Sequence, residues 1–369
     1  MDKQTIAINI ERFRKRLKLT QKQLAEKSGV SLSSIKLRGK SEPRIGTLKK
    51  LSKALSVSVA KLLTPLKELD YIRFRALKRA DDTSILINDI ALWLDNYNGL
   101  LAMMHKKPVI GIKDIASNDP EEAANIVRDK LKIKLNEPIY DILGLLDKLG
   151  VKVRMVKIAE SGFFGLSVGE KSGGPAIIIN SDDPISVERR IYTAAHELGH
   201  LILHKNAYIK GRKESSEEEL AADIFAAELL LPKQAFKIQW DSSTGSLFYD
   251  RIIKIKVIFK VSFLTVLHRV SEYLNRDYQE LFLQMSYEHF RRTGNYINRK
   301  SEIPPILKVA DFRADDDDIA PVCPDLMFDE ALPRYTIECL RKNYITLSRA
   351  SEILDGKSIK DIEELLSVK

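Results

Sequence analysis

Three of the chain's six histidines fall inside AAHELGHLILH, residues 194–204. His196, His200 and His204 stand four and then four apart, and Glu197 follows directly on the first. On an α-helix, residues four apart share one face. His196 and His200 can therefore aim at one point, where a zinc ion would sit ~2.0–2.1 Å from each imidazole nitrogen. Glu197 is rotated by about 100° from His196. It cannot join the ligands, but it can reach a water in the open coordination position. This is the HExxH arrangement. Zinc brings the pKa of such a water to about 7, the glutamate takes its proton, and the hydroxide attacks a carbonyl. His204 lies roughly 12 Å from His196 along a straight helix, too far to share one ion, and reads as a structural or rim histidine. Gly199 costs about 1 kcal/mol relative to alanine inside a helix. Its presence signals the close approach of a substrate or a neighbouring strand.

A His₂Glu site needs a carboxylate from a second helix. EEELAADIFAAELLLP, residues 217–232, supplies one. Leu220, Ile224, Ala227 and Leu231 make its expected apolar face, and Glu219 and Asp223 lie four apart on another. Glu219 follows His200 at a distance that allows a turn and a return, and is the candidate third ligand. Asp223 can accept the far N–H of a ligand imidazole and fix its tautomer. Glu217 and Glu218 read as acids favoured at a helix N-terminus.

The stretches RRIYTAAHELGHLILH and EEELAADIFAAELLLP resemble the ImmA/IrrE family of zinc-dependent endopeptidases. The similarity reaches back through DPEEAANIVRDKLKIKLNEPIYDILGLLDKLGVKV and PAIIIN, covering roughly residues 70–240. It implies a compact zincin-like domain with a small sheet, and one Zn2+ per chain held by His196, His200 and Glu219. Glu197 matches the family's catalytic base. Where the family often has a second acid and an asparagine, this chain has Ala221 and Asp223, so the role of Asp223 rests on geometry. An exposed strand beside the metal can pair with substrate backbone; 163–168 and 176–180 both qualify. The transition-state donor near the zinc has four candidates: Tyr192, Tyr208, His268 and Arg269.

Charge divides the chain. The first 80 residues hold 21 Lys/Arg against 6 Asp/Glu, and the rest hold 39 against 45. A basic head on a mildly acidic body points to a polyanion, most simply nucleic acid. In the head, Ile6, Ile10, Phe13 and Leu17 recur at helical spacing, Thr20 is an N-cap, Gly29 a turn, and Ser31 can cap a helix carrying Ile35. LTQKQLAEKSGVSLSSI followed by GKSEPRIGTLKKLSKALSVSV resembles the lambda-repressor-like (XRE) helix-turn-helix family. The resemblance places Gln21 and Lys22 at phosphates and Ser33, Ser34, Lys36 and Arg38 at bases or backbone. IKLRG is about two residues shorter than the family's usual recognition segment, which trims that helix by roughly half a turn.

With 369 residues, 44% hydrophobic and 30% charged, the chain reads as a multidomain globular protein. No apolar run approaches the ~20 residues of a membrane span, and the charged N-terminus has no signal-peptide pattern. Cys323 and Cys339 form no CxxC pair, which fits a reducing cytoplasm. The expected fold is α+β, mostly α. A helix-turn-helix domain (1–68) is followed by a helical connector (69–115), a zincin-like peptidase domain with a small β-sheet (116–240) and a mainly helical C-terminal region (241–369). In the peptidase region VKVRMVKI alternates as a strand, and GFFGLSVGEKSGGPAIIIN reads as a hairpin. The acidic run Asp315–Asp318 reads as a solvated loop. Two functions fit: a zinc endopeptidase that cuts a protein, such as a transcriptional repressor, with DNA as a second partner and a homodimer compatible; or a non-catalytic, antitoxin-like DNA-binding regulator that keeps the peptidase fold.

Overall fold

The computed structural model describes residues 3–367 apart from 18, 37–42, 56, 66–71, 75–79, 107–110, 159–161, 183–184, 209–214, 300, 307–330 and 355–356. In chain order the first elements are α1 (Lys3–Arg16), α2 (Gln21–Ser28), α3 (Leu32–Lys36), α4 (Ile45–Leu55), α5 (Val59–Leu63), β1 (Ile72–Phe74) and α6 (Ala80–Met103). Next come α7 (Pro120–Lys130), α8 (Ile142–Lys148), β2 (Lys152–Val156), β3 (Gly165–Val168), β4 (Ala176–Asn180), α9 (Val187–Leu203) and α10 (Ser216–Leu230). The last are α11 (Lys233–Ser242), α12 (Phe248–Phe259), α13 (Phe263–Leu274), α14 (Tyr278–Thr293), α15 (Ala331–Arg341), α16 (Leu347–Ile353) and α17 (Ile359–Ser367). Contacts divide them into two compact units: Met1–Leu69 with Lys78–Lys106 and Glu330–Lys369, and Asp70–Leu77 with Lys107–Asp329.

In the first unit, α2 starts where Thr20 closes a capping box. Its hydroxyl accepts the Gln23 amide at 3.1 Å, and the Gln23 side chain accepts the Thr20 amide at 2.8 Å. Gly29 ends the helix at φ 63°, a left-handed conformation that glycine adopts without a Cβ penalty. The chain then turns into α3, described over Leu32–Lys36. Ile6, Phe13, Leu24, Leu48, Leu51, Leu55 and Leu62 form the core. Asn9 donates to the carbonyls of Leu62 and Thr64 at the end of α5, at 3.1 and 2.8 Å. The same unit holds an edge-to-face pair of Tyr97 on α6 and Tyr335 on α15.

The expected helical connector is corrected at its start. Ile72–Phe74 is a strand. The described part of this strand pairs with residues 166–168, far along the chain, which no local pattern reports.

The second unit contains a four-stranded sheet in the order β1-β3-β4-β2. The expected hairpin is present as β3 and β4, antiparallel. β2 runs parallel to β4, and β1 runs antiparallel to β3. β4 is buried along its whole length, which is why it reads as an unbroken apolar run. Helix α9 packs on β3 and β4, and α10 packs on α9 and α7. One apolar core includes Ile177, Leu198, Phe225, Trp240, Ile252, Phe263 and Met285. Helices α11 to α14 therefore share the core of the HExxH helix rather than forming a separate layer. The expected apolar face of α10 is rotated. Ala222, Phe225, Ala226 and Leu229 are fully buried, and Leu220 is 60% exposed. The face that buries Ala222 and Ala226 also brings Glu219 and Asp223 round to α9, at i and i+4. Among the described residues, no helix is long and apolar enough to cross a membrane. Cys323 and the acidic run at Asp315–Asp318 lie outside the described residues.

A buried ion cluster ties the N-terminal turn of α9 to α12. Lys256 Nζ lies 3.0 Å from Glu188 Oε1 and 3.7 Å from Glu302 Oε1. Glu302 also accepts the amides of Phe263 and Ile303. Burial pushes the Glu302 carboxyl up to about 7, against the pull of Lys256 and with Glu188 adding to the rise. Between its ordinary value of 4.5 and about 7, the unfolded chain releases this proton while the folded chain keeps it. Its contribution to stability therefore falls as pH rises through that window. Glu302→Gln cannot ionise. Its melting temperature relative to the unaltered chain is expected to climb between about pH 5 and 7.5. Parallel melting curves across that range would contradict the assignment.

Candidate metal centre

The cluster is built from two helices. Ser186 caps α9 by accepting the Arg189 amide, and Ser215 caps α10 by accepting the Glu218 amide. Each cap fixes where the helical register begins, and hence which side chains face the other helix. Gly199 lies at their crossing. A Cβ added there would stand 3.0 Å from Phe225 Cδ1 and 3.3 Å from Ala222 Cα. The close neighbour is thus α10, not the substrate or strand expected from the sequence. The glycine lets the two helices that carry the cluster approach.

His196, His200 and Glu219 offer atoms that all lie within 4.8 Å of one another. The two Nε2 atoms are 3.0 Å apart. Glu219 Oε2 is 3.5 Å from His196 Nε2, and Oε1 is 3.1 Å from His200 Nε2. Ligands about 2 Å from one ion at tetrahedral angles stand roughly 3.3 Å apart. The donor types and the three spacings therefore fit a zinc ion. Both imidazoles are almost fully buried, and the Glu219 side chain is 22% exposed.

The outer nitrogens are also held. His196 Nδ1 is 2.8 Å from Asp223 Oδ1, and the carboxylate there requires Nδ1 to carry the hydrogen. That leaves Nε2 as the nitrogen that would offer its lone pair to a cation, after giving up the proton that Asp223 and Glu219 favour. Tyr192 donates its hydroxyl to the same Asp223 oxygen at 3.0 Å. His200 Nδ1 faces His204 Nδ1 at 3.0 Å, so His204 backs a cluster residue and stays out of the cluster itself. For His196, burial opposes the charged form, but Asp223 and Glu219 outweigh it and raise the pKa to about 9. For Glu219, burial works against ionisation, yet His196 and His200 hold its carboxyl well below the usual range.

Glu197 is 4% exposed. It lines a cleft with Phe164, Gly165, Arg189, Tyr192, Thr193 and His196. Sequence reasoning missed Phe164, Gly165, Arg189 and Thr193. Only Gly165 left a signal, as a glycine opening a strand. A Cβ there would meet Thr193 Cγ2 at 2.5 Å and the Ile178 carbonyl at 2.9 Å, with Glu197 Cγ 3.7 Å away. Of the four donor candidates, Tyr192 lines this cleft. Tyr208 donates to Ser167, His268 stacks on Tyr278, and Arg269 is bound by Glu228, Glu272 and the Leu231 carbonyl.

In the head, Ser33 and Ser34 are exposed on α3, Lys22 is exposed on α2 and Gln21 is half-buried. Ser31 bonds both serine hydroxyls, at 3.0 and 2.8 Å. Lys36 is the last described residue of α3, and Arg38 lies outside the described residues.

The fold and cluster define a peptidase-type domain with a His-His-Glu centre, accompanied by a helix-turn-helix. Residues 146–271 match the IrrE N-terminal-like domain, a peptidase family, and residues 10–62 match a helix-turn-helix family. The two matches together resemble the domain pair of ImmA/IrrE proteins with an N-terminal helix-turn-helix. The peptidase match runs past 240 through α12 and into α13, in line with the shared core. No curated protein matches the chain to a significant degree.

Proposed function

We propose that the chain is a zinc-dependent endopeptidase that cuts a protein, a transcriptional repressor or related regulator, while its N-terminal domain binds DNA. The observation that carries this reading is the convergence of His196, His200 and Glu219, with Glu197 in the adjoining cleft. These three residues would hold the zinc, which supplies a Lewis acid that acidifies water and polarises a carbonyl. Glu197 takes the proton of the attacking water and returns it to the departing amine. Asp223 keeps the His196 hydrogen on Nδ1 and so holds Nε2 toward the ligand cluster. Tyr192 steadies Asp223 through its hydroxyl. The basic head, with Lys22, Ser33 and Ser34 exposed, supports placement of α3 in a major groove, with Gln21, Lys36 and Arg38 completing the contact set.

The test is incubation of the zinc-loaded full chain with candidate helix-turn-helix repressor proteins, read by mass spectrometry. New fragments that depend on Glu197 support the reading; intact repressor, or fragments that persist in Glu197→Gln, count against it. Asp223→Ala is expected to weaken zinc binding by about 10- to 100-fold, measured by competition with a chromogenic chelator. An unchanged affinity would remove Asp223 from the site.

A further inference from the structure

Helix α14 buries one face and exposes another that is also apolar. Leu281, Phe282, Met285 and His289 pack inward. A surface helix of this kind normally turns polar residues outward. Here Leu283 is 66%, Tyr287 58% and Phe290 37% exposed. Tyr296, 68% exposed, extends the strip past the helix end by stacking on Phe290, with ring centroids 4.5 Å apart. Single exposed apolar side chains are ordinary, but a contiguous strip marks a contact surface.

The charges beside the strip say what covers it. Glu280 and Arg291 are both exposed, and both lie within about 40° of Tyr287 around the helix. Glu280 comes before the strip and Arg291 after Phe290. Arg292 points to another face and is held by Asp250 at 2.6 and 2.9 Å. The contact of Glu280 with Arg276 in its own chain is loose, at 3.9 Å. The level midway between Glu280 and Arg291 coincides with the level midway between Leu283 and Tyr287, to within ~1.5 Å along the axis. A second copy of the helix, antiparallel and related by a two-fold axis at that level, would set Leu283 against Tyr287 and Glu280 against Arg291, twice over. A parallel pair would oppose like charges at both ends. The face is therefore complementary to itself in one arrangement.

We infer that the exposed face of α14 is a two-fold interface between two copies of this chain, with each α14 antiparallel to its equivalent. The inference is independent of the metal centre and of the peptidase reading. One helix face from each copy makes a small interface, so dissociation is expected in the micromolar range.

The test is sedimentation velocity of the full chain from about 1 to 100 μM, a range that brackets such an affinity. A concentration-dependent dimer is expected. Tyr287→Glu places a charge in the strip at an exposed position. It is expected to stay monomeric across the range with an unchanged circular-dichroism spectrum. Glu280→Arg and Arg291→Glu, each alone, oppose like charges at both ends of the pair and are expected to weaken the dimer on the order of 10-fold. An equimolar mixture of these two variants restores both pairs in the mixed dimer, and is expected to associate about as tightly as the unaltered chain. A monomer at every concentration would give the face to a different partner and overturn the inference. So would a Tyr287→Glu chain that still dimerises, or a mixture that associates no better than either variant alone. Should Tyr287→Glu fail to fold, the mixture decides.

Discussion

Glu197→Gln is expected to bind zinc as the unaltered chain does and to cut the protein substrate proposed for it on the order of a thousandfold more slowly. Glu197 is buried at the cleft wall beside His196 and Gly165 and is not among the three clustered donor residues. Its loss removes the proposed base without removing any of the three clustered donors. Glutamine keeps the shape and the hydrogen-bonding oxygen but cannot take a proton at any working pH. A thousandfold loss corresponds to about 4 kcal/mol of transition-state stabilisation, the size expected of a positioned general base. The fall should appear in kcat, with KM little changed, because the substitution leaves the peptide-binding surfaces intact. Steady-state kinetics on that substrate measures this. Full activity in Glu197→Gln would put the proton transfer elsewhere.

Lys256→Met is expected to destabilise the folded chain by about 3–5 kcal/mol above neutral pH. The side chain is fully buried, as is Glu188, and the Glu302 side chain is 5% exposed. Methionine fills most of the lysine stem's volume, so packing loss contributes little. Two buried carboxyl groups then remain without their cation. The penalty should shrink in acid, because Glu302 is already held protonated up to about pH 7 and a neutral carboxyl needs no counter-ion. Chemical denaturation at about pH 5 and pH 8 separates this from a packing defect, which would be the same at both.

The sequence carried the parts of the site that depend on local periodicity. His196, Glu197 and His200 share one helix, so their spacing already states their relative directions. Glu219 and Asp223 were legible for the same reason, though the burial of their helix was not. Leu220, Ile224, Ala227 and Leu231 gave a plausible apolar stripe, yet α10 turns Ala222, Phe225 and Ala226 inward. Small residues pack against a second helix as well as large ones do, and hydropathy cannot rank them. The reading of Gly199 erred in the same way: a close approach was correctly inferred, but the approaching element was α10. β1 could not be read, because its pairing partner at residues 166–168 lies far along the chain. The ion cluster at Lys256 was equally hidden. Glu188, Lys256 and Glu302 are far apart in the chain and look like surface charges until folding buries them together. In the head, Thr20, Gly29 and Ser31 announced the helix-turn-helix because caps and turns are local chemistry.

The most direct test of the two-helix metal centre is zinc content by mass spectrometry of the purified full chain, beside His200→Ala and Glu219→Ala. One zinc per chain in the unaltered protein, and loss of it in both variants, is the expected result. Zinc retained at full occupancy in Glu219→Ala, or an unaltered chain that takes up none from zinc-supplemented buffer, would contradict the account.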